Sequence, residues 1–191
     1  MLFHQNLLKE INELRSNPSS FADKLLGYKS YFTDKIMKFP NSKIRINTEE
    51  GFSAYEEAAN YLKTTSPICE MNGSKGLCKI AKEYLDKIVQ CGVDEIESID
   101  LSSIIKKYGK FRGAFGNAME FRSDIPELVA ANLAACDGDV SRANRDLLLN
   151  PEFKKIGIAN GVHPEYGNVT IIVTCTEFLN KVDENDNENF C

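Results

Sequence analysis

The chain has 191 residues, 42% hydrophobic and 27% charged, with a formal net charge of -5. That length and balance suit one globular domain with a sizeable core. The negative overall field argues against nucleic acid or an anionic membrane as partner, and no apolar run approaches the roughly 20 residues of a membrane-spanning helix.

In chain order, Phe3, Leu7, Ile11 and Leu14 recur at helical spacing and predict an amphipathic first helix. Asn17 followed by Pro18 predicts the N-cap and first turn of a second, which carries Phe21, Leu25 and Leu26. Residues 33–47 hold Pro40, Asn41 and few periodic positions, so an extended connection is expected. Asn47 or Thr48 is the expected cap of a third helix, with Phe52, Tyr55, Ala59 and Leu62 on its inner face. Residues 75–90 give the cleanest helix, because Leu77, Ile80, Ala81, Tyr84, Leu85 and Ile88 follow the i, i+3, i+4 template. Another is predicted over 125–136, with Asp124 and Glu127 as a capping box and Pro126 in the first turn.

Strand signals come late. One strand is predicted near Ala114 to Phe121 and a short one at Ile156 to Ile158. A third covers 169–178, where Val169, Ile171, Val173 and Cys175 alternate onto one face. Asn160 to Gly167 would join the last two as a hairpin loop. From Lys181 the chain is acidic and polar, a tail expected to be mobile unless Cys191 is tethered. With no internal repeat and no linker, the expectation is a single domain over residues 1–180 and a tail over 181–191. Helices first, with strands among them, predict an α+β fold in which helices cover a sheet.

There are six cysteines, an even number that fits an oxidising compartment but leaves fifteen full pairings open. None of the spacings is C-x-x-C, which argues against a zinc ribbon or a thioredoxin-type motif. Cys69 and Cys78 flank a turn and are placed to close a short loop, whereas Cys136 and Cys175 are expected as buried thiols. At least one disulfide is expected. Lys9 and Glu10 interrupt any apolar leader in MLFHQNLLKE, so with the cysteine count the expectation is a mature secreted chain whose signal peptide is gone. His4 and His163 are assigned surface or loop roles, and no nucleophile turn marks a Ser-His-Asp triad. Asp183 to Asn189 alternates oxygen side chains as calcium loops do, but lacks the central glycine and a twelfth-position glutamate. The one cationic cluster, Lys106, Lys107, Lys110 and Arg112, is expected to coat a solvated face.

The segment Asp137 to Ala159, DGDVSRANRDLLLNPEFKKIGIA, resembles the central signature of the CAP superfamily of cysteine-rich secretory, antigen and pathogenesis-related proteins. Arg142, Arg145, Asn150, Pro151, Phe153, Ile156 and Gly157 fall in that family's order without a gap. Asn12, Arg15 and Pro18 resemble the Asn-x-x-Arg-x-x-Pro that closes the family's first helix. Gly76 to Ile88, Lys107-Tyr108-Gly109, Gly116 to Met119 and Thr176-Glu177-Phe178 resemble later pieces, so most of residues 5–179 is covered. The resemblance implies a three-layer α-β-α sandwich.

In that family a cleft with two histidines and one or two acidic residues can bind a divalent metal. Here Asn144 stands where the resemblance expects a histidine and Asn117 where it expects a glutamate. The stretch Val93 to Glu97, where the other histidine is expected, has none. Asparagine is neutral and a poor zinc ligand. The expectation is therefore a metal-free, cofactor-free polar remnant built on Asn117 and Asn144, with Glu95, Glu97 and Glu120 as candidate cleft acids; the plainer alternative is that the two asparagines only satisfy backbone groups there. The function expected from the resemblance is a secreted, non-catalytic protein that binds a lipid, a sterol or an extracellular protein. The alternative is a divergent peptidase or esterase that uses relocated acidic groups.

Overall fold

A computed structural model describes residues 2–40, 45–91, 93–121, 123–181 and 191, with backbone alone for Leu2, Val93, Asp94 and Glu97. In order these form α1 (Leu2–Ser16), α2 (Pro18–Gly27), β1 (Phe32–Thr33), β2 (Ile36–Lys38), β3 (Arg45–Asn47), α3 (Phe52–Thr64), β4 (Asn72–Gly73), α4 (Lys75–Gln90), α5 (Leu101–Tyr108), β5 (Gly109–Phe121), α6 (Pro126–Ala135), α7 (Ala143–Leu148), β6 (Lys155–His163) and β7 (Gly167–Asn180). The fold is mixed α and β, with a small sheet β1-β2-β3 and a larger one ordered β4-β6-β7-β5.

The apolar spacing of α1 buries Leu7, Ile11 and Leu14 completely. The Asn17 side chain accepts a hydrogen bond from the Ser20 amide at 3.4 Å, and Pro18 opens α2 as predicted. Residues 32–47 form three short antiparallel strands rather than a plain connection. Only Met37 and Ile46 are buried at the centres of β2 and β3, too few positions to register as alternation. The third helix starts four residues beyond Thr48, whose hydroxyl instead donates to the Lys35 carbonyl at 2.7 Å.

Helix α4 spans residues 75–90 as its periodicity requires, and the Ser74 hydroxyl accepts from Leu77 N. At α6 the Asp124–Glu127 capping box does not form. Ile125 is the cap residue, its amide donates to the Ser123 hydroxyl at 3.2 Å, and Glu127 accepts from the Tyr28 hydroxyl at 2.8 Å. Helix α5, capped by Asp100, has no counterpart in the sequence reading. The expected 160–167 loop shrinks to the turn 164–166, because His163 and Gly167 are still paired. There His163 Nδ1 accepts from the amides of Glu165 and Tyr166 and folds the turn back.

In the larger sheet β4 runs parallel to β6, and the β6/β7 and β7/β5 pairs are antiparallel. Alternation along β7 sends Val169, Ile171, Val173 and Cys175 into a cluster with Leu77, Ile80, Leu85 and Ile88 of α4. Helix α4 approaches β6 so closely that a Cβ on Gly157 would lie 2.1 Å from the Leu77 carbonyl carbon. Ala118, Ile156, Ile158 and Ile172 join a second cluster with α1, α3 and α6.

Two residues on α1 tie this second cluster to neighbouring loops, Asn12 to the segment before β4 and Arg15 also to the loop before β6. Asn12 pairs with the backbone of Met71 through both its amide oxygen (2.9 Å) and its amide nitrogen (3.0 Å). Arg15 is wholly buried and donates to four carbonyls: Cys69 at 2.9 Å, Leu148, Asn150 at 3.1 Å and Phe153 at 2.9 Å. Burial pushes its pKa below the usual guanidinium value.

Cys78 is joined to Cys191, not to Cys69, which is exposed and free. Its place at the start of α4 turns it toward the chain terminus rather than back along the preceding turn. Cys136 and Cys175 are buried free thiols, and burial pushes the Cys175 thiol up to about 12. The oxygen-rich alternation at Asp183 to Asn189 lies outside the described residues. Among the described residues no helix is long and apolar enough to cross a membrane.

Candidate functional site

The segment between α6 and α7 is held by an ion-pair lattice. Helix α6 ends at Cys136, whose backbone is left-handed (φ 50°). Asp137 then accepts from the amides of Glu49 and Glu50, both at 2.8 Å, and so caps the approach to α3. Arg142, also left-handed (φ 54°), forms a two-point pair with Glu50 at 2.6 and 2.7 Å and donates to the Cys136 carbonyl at 2.7 Å. Buried Arg145 makes a second such pair with Glu57 at 2.8 and 2.9 Å, and its guanidinium lies 4.6 Å from the Tyr61 ring centroid. Arg142 beside Glu50 holds that carboxyl down at about 2, and Arg145 lowers that of Glu57. The lattice joins α3 of one sequence region to the 137–145 turn of another.

Beside this lattice, and sharing Asp137 with it, lies a cleft of about 220 Å³. Among its polar groups are Tyr55 on α3, Glu120 on β5, Asn132 on α6, Asp137 and Asp139 on the turn, and Asn144 on α7, with Asn47, Thr48 and Glu49 at the approach to α3. Tyr55 donates to the Asn132 amide oxygen at 2.6 Å, and the Asn132 amide nitrogen donates to Glu120 Oε1 at 2.6 Å. The chain of donors thus runs from the phenol through the amide into a buried carboxylate. Burial, with the charges of Asp137 and Glu120, raises the Tyr55 pKa. Cys136 also lines the cleft. Its thiol donates to the Leu133 carbonyl at 3.0 Å and accepts from the Arg145 amide at 3.3 Å, and burial pushes its pKa up.

The expected site residues do not converge. Asn144 and Glu120 both line the cleft. Asn144 is half-buried, and its side chain makes no hydrogen bond to the described residues, so it does not serve to satisfy backbone there. Asn117 is on the other face of β5. Successive strand residues point to opposite faces; Ala118 and Glu120 face α6, while Asn117 sits with Phe115 and Met119, which pack toward α4. Pairing Asn117 with Asn144 in one remnant is therefore corrected by the strand register. Glu95 is exposed on the 3-10 turn Val93–Ser98, whose Ile96 belongs to the α4 cluster across the sheet from Glu120. The Glu97 side chain lies outside the described ones. Among the described residues no group of three or more His, Cys, Asp and Glu is placed to hold a metal.

Tyr55 and Asn132 escaped the sequence reading as site residues. Tyr55 sits on an apolar stripe and looks like core. Asn132 carries a signal that could have been used, because it is the one amide within the otherwise apolar run Leu128 to Ala135. No protein-family model, curated protein or solved structure matches this chain.

Proposed function

We propose that the chain is a CAP-like domain, an α-β-α sandwich, that acts in an oxidising, extracellular setting by binding rather than by catalysis. The observation that carries this reading is the cleft, where Asn144, with no hydrogen bond to the described residues, faces the Tyr55–Asn132–Glu120 chain. A neutral amide opposite a fixed acceptor can orient a ligand but cannot serve as a base near neutral pH. The Cys78–Cys191 disulfide supports the oxidising setting.

The cleft also narrows the ligand. Pockets for drug-sized molecules run to about 300–1,000 Å³ and are mostly apolar. A cleft of about 220 Å³ lined by both polar and apolar side chains suits a small group, or one side chain projecting from a protein ligand, better than a whole sterol or lipid. The divergent-hydrolase alternative requires a second acid near Glu120. Glu95 lies across the sheet, and Asp137 and Asp139, which share the cleft, are engaged as acceptors for the amides of Glu49, Glu50, Ser141 and Ala143.

Two measurements test the reading. Methylammonium and acetamide, titrated separately into labelled protein, should move the amide resonances of Glu120, Asn132 and Asn144, and Asn144→Ala should weaken that response. Hydrolysis of p-nitrophenyl acetate or casein, with or without added zinc, that is lost in Glu120→Gln would overturn the non-catalytic reading.

A further inference from the structure

The cationic cluster at the start of β5 sits on an open sheet edge. β5 is the terminal strand of the larger sheet, paired with β7 alone among the described residues. The Lys181 amide donates to the Tyr108 carbonyl at 2.9 Å, which makes Tyr108/Lys181 a hydrogen-bonded pair. In an antiparallel ladder such pairs alternate with non-bonded ones. The backbone groups of Lys110 and Arg112 therefore turn toward β7. The N–H and C=O of Phe111 and the C=O of Gly109 turn outward, while the Gly109 N–H closes α5 on the Ile105 carbonyl. Residues 110–113 are all exposed.

The side chains around this edge alternate in chemistry. Lys110 and Arg112 project from one face, with Lys106 and Lys107 just before them on α5. Phe111 projects from the other and stacks on Phe115 at 4.8 Å between centroids. Of the four cations, Lys107 pairs with Glu83 at 2.6 Å and Arg112 meets Glu177 at 3.7 Å, which leaves a local excess of positive charge among the described residues in a chain of net charge -5. The ladder shifts register between Arg112 and Phe115, so the straight edge ends there.

We propose that the Gly109–Arg112 edge docks an extended peptide segment of a partner protein in which acidic and apolar residues alternate. Main-chain bonds to the Phe111 N–H and C=O and to the Gly109 carbonyl would add it as a strand. Its acids would lie beside Lys110 and Arg112, and its apolar residues beside Phe111. A second copy of the chain does not fit this edge. Two-fold pairing about Phe111 sets Lys110 against Arg112 of the other copy, and like charges directly opposite destabilise a ladder. This surface is independent of the cleft.

The test uses the full chain and an N-acetylated, C-amidated hexapeptide of alternating glutamate and valine. Binding should shift the amide resonances of Gly109 and Phe111. It should weaken at least tenfold in the Lys110→Glu, Arg112→Glu double variant, and severalfold when salt rises from about 50 to about 300 mM. Phe111→Pro removes the outward N–H without touching the ladder to β7 and should abolish binding, whereas Phe111→Ala should keep most of it. Unchanged far-ultraviolet circular dichroism would establish that each variant is folded. Equal affinity for a lysine–valine hexapeptide, or unchanged affinity in the double variant, would overturn the proposal. So would sedimentation showing a dimer that dissociates in that variant, since a second copy would then be the occupant.

Discussion

Replacing Arg15 with methionine keeps most of the side-chain volume and removes all four donations to the carbonyls of Cys69, Leu148, Asn150 and Phe153. Hydrogen bonds to a charged group contribute about 1.5–3 kcal/mol each, so four would sum to about 6–12 kcal/mol if they were additive. Against this stands the cost of burying the guanidinium itself, several kcal/mol, which the substitution relieves. No carboxylate among the described residues shares a hydrogen bond with Arg15, so the balance falls on the four carbonyls and the water that can reach them. The expected net loss is about 3–5 kcal/mol, a large part of a typical stability of about 5–15 kcal/mol. For a chain of this size that corresponds to a drop in Tm of roughly 6–20 °C. Urea unfolding followed by circular dichroism measures it, with the slope m checked for constancy. Arg15→Lys, which can reach only some of the four acceptors, should fall between wild type and Arg15→Met. A loss in Arg15→Met below about 1 kcal/mol at constant m would refute the claim that this side chain holds the loop before β6.

Three further outcomes follow from the same structure. Cys191→Ser opens a loop of 113 residues, for which chain entropy gives about 4.8 kcal/mol; the variant should lose about 3–5 kcal/mol in denaturant, and reduction of the wild type should reproduce that loss. Glu50 has a depressed folded pKa of about 2, so its pairing with Arg142 stabilises the fold above pH ~4.5 and is lost as pH falls from there toward 2. Arg142→Met should flatten that acid limb of the stability curve, and an unchanged limb would show that the pair carries no such dependence. With a thiol-reactive dye, native protein should label at exposed Cys69 first, while Cys136 and Cys175, buried and with raised pKa, stay silent until urea unfolds the chain.

Legibility in the sequence tracked the length of each pattern. Residues 75–90 repeat their apolar positions over four turns, and the helix has the expected ends. β2 and β3 bury one residue each, so no alternation could announce them. The expected cap at Asn47 or Thr48 fails because α3 starts from Gly51 with no side-chain cap, and the approach to it is held by Asp137, 88 residues away from Glu49 in sequence, which no local reading reaches. The same limit applies to the disulfide, where Cys69 was the near neighbour in sequence and Cys191 the neighbour in space.

The site was legible in part for a different reason. Asn144 and Glu120 were both singled out, yet Asn117 was grouped with Asn144 through a motif position rather than through the strand. A single-residue change of register moves a side chain to the other face, and buried Ala118 next to Asn117 marks which face is which. The arginines of the family-like motif were noted only as markers of resemblance. Their partners, Glu50 just before α3 and Glu57 on it, come from another region, and no spacing within 137–159 points to them.

Position 144 is fixed without help from its own side chain. The Ala143 amide donates to Asp139 at 3.0 Å and the Arg145 amide to the Cys136 sulfur, while Glu57 anchors the Arg145 guanidinium. The backbone there works as a socket whose occupant can change while the frame stays. Evolution could swap the residue at 144 without renegotiating the fold, and an engineer could do the same. A lineage could discard one chemistry, drift, and acquire another at a single codon, with the arginine–glutamate frame preserving the address throughout.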